Sequence, residues 1–128
     1  MANNYTQSSS QLAIPKEKHD QAKTIIDKFM QQFDDDDDDD DYCGIQVELE
    51  SEGVWIYGEE SFDPDQAAEL VQTLLDELEI EEPFVFSWAY SCSKMRLDEF
   101  GGGACLVRKG LPYEMVDARN HMESLINN

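Results

Sequence analysis

The chain has 128 residues, 41% of them hydrophobic and 10% aromatic, and carries 29 acidic residues against 9 lysines and arginines, a net charge of −20. That length and apolar content fit one globular domain with its own core. The charge argues against direct binding to nucleic acid, where cations that displace counterions from phosphates supply the affinity.

The charge is unevenly placed. Residues 1–28 hold four lysines and three acids, residues 29–93 hold 21 acids and no base, and residues 94–128 hold five of each. A field of one sign attracts a basic protein partner and speeds that encounter in a salt-dependent way, and it also keeps a protein soluble. Cys43, Cys92 and Cys105 cannot all pair within one chain and form no CxxC motif, so a reducing compartment is expected. With no apolar run of spanning length and no signal-like N-terminal segment, a cytoplasmic protein that does not engage membranes is expected.

Residues 1–14 are rich in Asn, Gln and Ser and read as a flexible arm, leaving 15–128 as a single domain. From Pro15 to Phe33 the positions Ala22, Ile25, Ile26, Phe29, Met30 and Phe33 recur at helical spacing, with Lys16, Lys18, Lys23 and Lys28 mostly off that stripe. Eight aspartates, Asp34 to Asp41, follow and read as an extended acidic linker. A homopolymer lacks the alternating ligands, the turn glycine and the distant glutamate of a calcium loop, so no metal site is assigned to it.

Gly44–Glu50 alternates Ile45, Val47 and Leu49 with Gln46, Glu48 and Glu50, the pattern of a half-buried strand. Ser51-Glu52-Gly53 turns it into a second strand, Val54–Gly58, in which Val54 and Ile56 oppose Trp55 and Tyr57. Phe62-Asp63-Pro64-Asp65-Gln66 is a helix start: Asp63 as N-cap, Pro64 at the first helical position, Gln66 placed for a capping box and Phe62 for a hydrophobic staple. The helix is expected to run to about Glu79, burying Ala67, Val71, Leu74, Leu75 and Leu78.

After Pro83, two strands of high β-propensity, Phe84–Ser91 and Gly103–Arg108, are joined by a connection longer than a simple turn. The row Phe84, Phe86, Trp88 and Tyr90 is expected to face the core. The connection holds Cys92, Lys94, Arg96, Asp98, Glu99, Gly101, Gly102 and Gly103, and reads either as a recognition tip for an acidic group or as a loop whose charges pair with one another. The glycines lack the strand-to-helix context of a phosphate loop. A cysteine nucleophile needs a histidine base, and His19 and His121 are both remote in sequence. No catalytic residue, cofactor or metal ligand is assigned. The chain is expected to end in a helix over about Tyr113–Ile126.

The segment from Phe86 to Val107, FSWAYSCSKMRLDEFGGGACLV, resembles a family of small acidic proteins of bacteria and their phages with a strand of the form (F/W)xWAxxCSKxRxxEFGGGA. The resemblance covers the central hairpin and, more loosely, the acidic hairpin and helix before it. It implies the fold of that hairpin and a phage or mobile-element origin, hence an accessory or anti-defence role rather than housekeeping metabolism.

The expected fold is α+β: a four-stranded, mainly antiparallel sheet in the order α-β-β-α-β-β-α with helices packed on one face. The expected function is that of a non-enzymatic interaction protein whose acidic surface binds a basic, nucleic-acid-handling partner, masking it or imitating DNA. That surface comprises Asp34, Asp41, Glu48, Glu50, Glu59, Glu60, Glu69, Asp76 and Glu77. The alternative is a module that binds a small molecule or peptide through residues 92–102.

Overall fold

Residues 4–13, expected to form part of a mobile arm, are a strand in the interior of a six-stranded sheet. The computed structural model describes residues 4–34, 44–92 and 101–126. Their elements run β1 (Asn4–Ala13), a single 3-10 turn (Lys16–Lys18), α1 (His19–Asp34), β2 (Gln46–Glu50), β3 (Gly53–Gly58), α2 (Pro64–Glu77), β4 (Phe84–Cys92), β5 (Gly101–Arg108), β6 (Leu111–Asp117) and α3 (Ala118–Ile126). The strands lie in the order β2-β3-β1-β4-β5-β6, every neighbour antiparallel. The four-stranded α-β-β-α-β-β-α arrangement is therefore corrected to six strands, with β1 and β6 added to the two expected hairpins.

β1 joins those hairpins. Its residues Ser8–Ala13 pair with β3, and Asn4–Gln7 pair with β4. The segment after β3 fixes the same strand from the side: Thr6 N donates to Glu60 O at 2.9 Å, and Phe62 N donates to Thr6 O at 3.0 Å. Gly53 is required where β1 and β3 meet, because a Cβ there would lie 2.0 Å from the Leu12 carbonyl oxygen.

Alternation assigns the two sheet faces. Leu12, Val54, Ile56, Phe86, Trp88, Cys105 and Val107 point toward α1 and α2 and are buried. α2 presses Ala67, Ala68, Leu70, Val71, Leu74 and Leu75 onto this layer, and α1 adds Ala22, Ile25 and Ile26. Each such leucine removed from water contributes about 1.5–3 kcal/mol. α2 begins as its sequence dictates: Asp63 Oδ1 accepts from Asp65 N at 3.0 Å and Gln66 N at 3.3 Å, and Phe62 is buried beside it. Gln66 Oε1 also accepts from Gly44 N at 2.6 Å, tying the approach to β2 to the helix. At the other end Lys18 Nζ donates to the Leu78 carbonyl, placing a cation where the α2 dipole is negative.

The expected helix over Tyr113–Ile126 is divided. Leu111–Asp117 pairs with β5, and only Ala118–Ile126 is helical. Lys109-Gly110 makes the connection, with Gly110 at φ 75°, a backbone conformation glycine adopts without a Cβ penalty. Tyr113 and Met115, two apart, then pack against the core from one side of β6. α3 lies against β5 and β6.

Candidate functional site

Among the described residues, no helix covers the sheet face opposite α1 and α2 across β2, β3 and β1. In β3, Trp55 and Tyr57 point to this side, opposite to Val54 and Ile56, which are buried. Their rings stack with centroids 3.8 Å apart and planes 20° from parallel. The register sets Glu48 of β2 beside Trp55 and Gln46 beside Tyr57, while on the other flank Gln11 and Ser9 of β1 face the same two residues. Trp55 Nε1 donates to Ser9 Oγ at 2.8 Å, which fixes the indole edge and leaves its ring to the stack. Ser9, Gln11, Glu50 and Trp55 line a shallow depression of about 420 Å³.

The electrostatics of this strip are one-sided. Burial first, then Glu48, Glu59 and Glu50, raise the Tyr57 phenol above its ordinary value. Three carboxylates therefore act on Tyr57, one ring of the stacked pair, and residues 44–61 include neither lysine nor arginine. Aromatic faces and carboxylates attract the same ligand chemistry, a cation, the first through the ring quadrupole and the second through charge-assisted hydrogen bonds.

Of the nine carboxylates expected to form one surface, the seven whose side chains are described divide between two sides of the molecule. Glu48 and Glu50 lie exposed on the open face, and Glu59 and Glu60 lie exposed just beyond β3. Glu69, Asp76 and Glu77 are exposed on α2, in the layer on the opposite side of the sheet. Asp76 has a structural task as well, since its Oδ1 accepts from Gly110 N at 2.7 Å and from Gln72 Nε2 at 3.2 Å. Asp34 ends α1, and Asp41 lies outside the described residues.

Of the central connection, Lys94, Arg96, Asp98 and Glu99 also lie outside the described residues. The backbone of Cys92 closes β4 opposite Asn4. Gly101, Gly102 and Gly103 are strand residues of β5, paired with Tyr90, Ala89 and Trp88. Gly103 makes room for the Trp88 indole: a Cβ would lie 2.5 Å from Trp88 Cζ2 and 2.5 Å from the Val116 carbonyl oxygen. The indole then donates to Tyr90 Oη at 2.9 Å. The Trp88 and Gly103 positions of the WAxxCSK…GGGA pattern are thus a packing pair within one hairpin.

Comparison with protein-family models, curated proteins and solved structures finds no match. Chemistry must be read from the side chains. Cys105 is 1% exposed, and burial, with a smaller contribution from Asp65, pushes its thiol up from 9.0 to about 11, so at neutral pH it is a packed thiol rather than a nucleophile. His19 Nε2 lies 2.9 Å from the Ile14 carbonyl oxygen. Among the described residues, no three His, Cys, Asp or Glu side chains are placed to hold a metal ion, and no helix is long and apolar enough to cross a membrane.

A wider groove of about 670 Å³ runs between α1 and α2, but it brings Lys28 and Glu77 together beside Ile25 and Phe29 and so selects neither sign of charge. Sequence reasoning missed Trp55 and Tyr57 as site residues. The signal was present in their alternation with Val54 and Ile56, which put them on the same side as Glu48 and Glu50 only once the register of the hairpin is known.

Proposed function

We propose that this protein is a small acidic interaction module that binds a cationic segment of a partner protein on the open face of β2 and β3. The observation that carries the reading is the stacked Trp55–Tyr57 pair, with Glu48, Glu50 and Glu59 acting on its tyrosine and no lysine or arginine in residues 44–61. A guanidinium or ammonium laid over the rings gains cation–π attraction, and the flanking carboxylates accept its hydrogen bonds. The separation of Glu48, Glu50, Glu59 and Glu60 from Glu69, Asp76 and Glu77 on α2 favours recognition of a single cationic segment over imitation of a DNA backbone. A basic, nucleic-acid-handling enzyme as the partner, in the accessory setting implied by the resemblance of Phe86–Val107 to phage proteins, is part of the same proposal.

The test uses an arginine-rich peptide and the intact protein, read by calorimetry. Binding is expected, and it should weaken about tenfold or more between about 50 mM and about 500 mM salt. Glu48→Gln combined with Glu50→Gln should abolish it, whereas Glu69→Gln combined with Glu77→Gln should leave it nearly intact. Equal losses from the two pairs would mean that net charge alone is being measured, and the reading would be abandoned.

A further inference from the structure

The binding strip ends at a sheet edge. β2 is the outermost strand on its side of the sheet, and among the described residues nothing pairs with its outer edge. Such an edge offers a row of backbone donors and acceptors to another extended chain. The side chains of β2 alternate in a manner that specifies what that chain would carry. Glu48 and Glu50 are exposed on the open face, while Val47 and Leu49 face the helices and stay half-buried, packed against the core but not closed over by it.

Resting on the proposed function, we infer that the partner's cationic segment binds as an added antiparallel or parallel strand on β2, with arginines at alternate positions and apolar residues between them. A neighbouring strand places its side chains on the same faces as those it lies beside, with main-chain hydrogen bonds supplying affinity and alternate side chains supplying selectivity. Residues of the added strand on the open side lie next to Glu48 and Glu50, within reach of Trp55 for a side chain as long as arginine. Residues on the other side cover Val47 and Leu49. Arginine is favoured over lysine because its planar guanidinium stacks on an indole and meets a carboxylate with two parallel N–H donors. A second copy of this chain is a poor occupant: β2 against β2 would set Glu48 and Glu50 beside their own counterparts, and like charges directly across a strand pair repel.

The experiment varies the peptide and leaves the protein unaltered. Five peptides of equal length are compared: alternating arginine and valine, the same composition with arginines and valines in separate blocks, two alternating peptides with N-methyl groups on every second amide in one or the other phase, and the alternating peptide with lysine for arginine. Strand addition predicts that the block peptide and one of the two N-methylated phases bind about tenfold more weakly or worse, that the lysine peptide is several-fold weaker, and that amides of Gln46–Glu50 gain protection from hydrogen exchange. If the block peptide and both N-methylated phases bind as well as the parent, strand addition is overturned while the cationic strip stands. If no peptide binds at low salt, the strip itself fails, and the strand with it.

Discussion

The two ends of the sheet handle charge in opposite ways. At the β5–β6 end Arg108 of β5 and Lys109 of the connection after it each have an acid: Arg108 Nη2 donates to Glu114 Oε2 at 2.7 Å, and Lys109 Nζ donates to Glu81 Oε1 at 2.9 Å. The same end also exposes apolar side chains, Val85, Val116 and Met122 at 63%, 49% and 61%. At the β2–β3 end Glu48, Glu50, Glu52, Glu59 and Glu60 follow one another without a lysine or arginine. Charges that serve the fold tend to be paired, and those that serve a partner are left for the partner to pair. One scaffold thus carries a self-satisfied end and an end with unspent attraction for a cation.

The largest effect should come from the core that both ends share. Leu74, fully buried under the sheet, should cost about 2–5 kcal/mol as Leu74→Ala. Fluorescence of the two tryptophans, Trp55 near one end and Trp88 nearer the other, should report a single unfolding transition. Two transitions in denaturant would break the idea of one scaffold. Arg108→Ala comes next, removing an exposed ion pair and leaving Glu114 alone, at a cost of at most about 1 kcal/mol and with no change in peptide binding. The smallest stability effect is expected at the other end, where Glu48→Gln with Glu50→Gln should stay within about 0.5 kcal/mol of the parent. The same pair should lower the Tyr57 phenol pKa toward its ordinary value, because two of the three carboxylates that disfavour the phenolate are gone. Ultraviolet titration of the tyrosines reads that shift, and a Tyr57 curve that stays in place would separate the glutamates from the aromatic pair.

Much of the helical layer was legible in the sequence because its signals are local. Phe62-Asp63-Pro64 starts α2 as its residue types require, and the apolar spacing of α1 and α2 gives the face they bury. The strands were legible only where side chains meet the core. Half of β1 is Gln and Ser, residues of modest strand tendency, and apart from burying Leu12 its contribution is main-chain pairing on both flanks. β6 was obscured by Met115 and Val116, adjacent apolar residues that fit a helical stripe as readily as a strand. The alternation of Tyr113 and Met115 after Lys109-Gly110 is the better guide. For the site, acidity was legible from residue types alone, whereas its layering was not. Glu48 and Glu77 look equivalent on a charge count, yet one stands beside Trp55 and the other on a helix in the opposite layer.

The hairpins β2–β3, β4–β5 and β5–β6 each join neighbours in the chain, whereas β1 finds partners about fifty and about eighty-five residues away. Closing such long loops is slow, so the hairpins are expected to assemble early and the polar strand to slide between them at the end. Until it does, β3 and β4 each expose a raw margin, and the acidic hairpin is held to the rest only through its packing and hydrogen bonds with the helical layer. The keystone of this molecule is thus its least hydrophobic strand, which contributes Leu12 to the core but serves chiefly by hydrogen bonding along both sides.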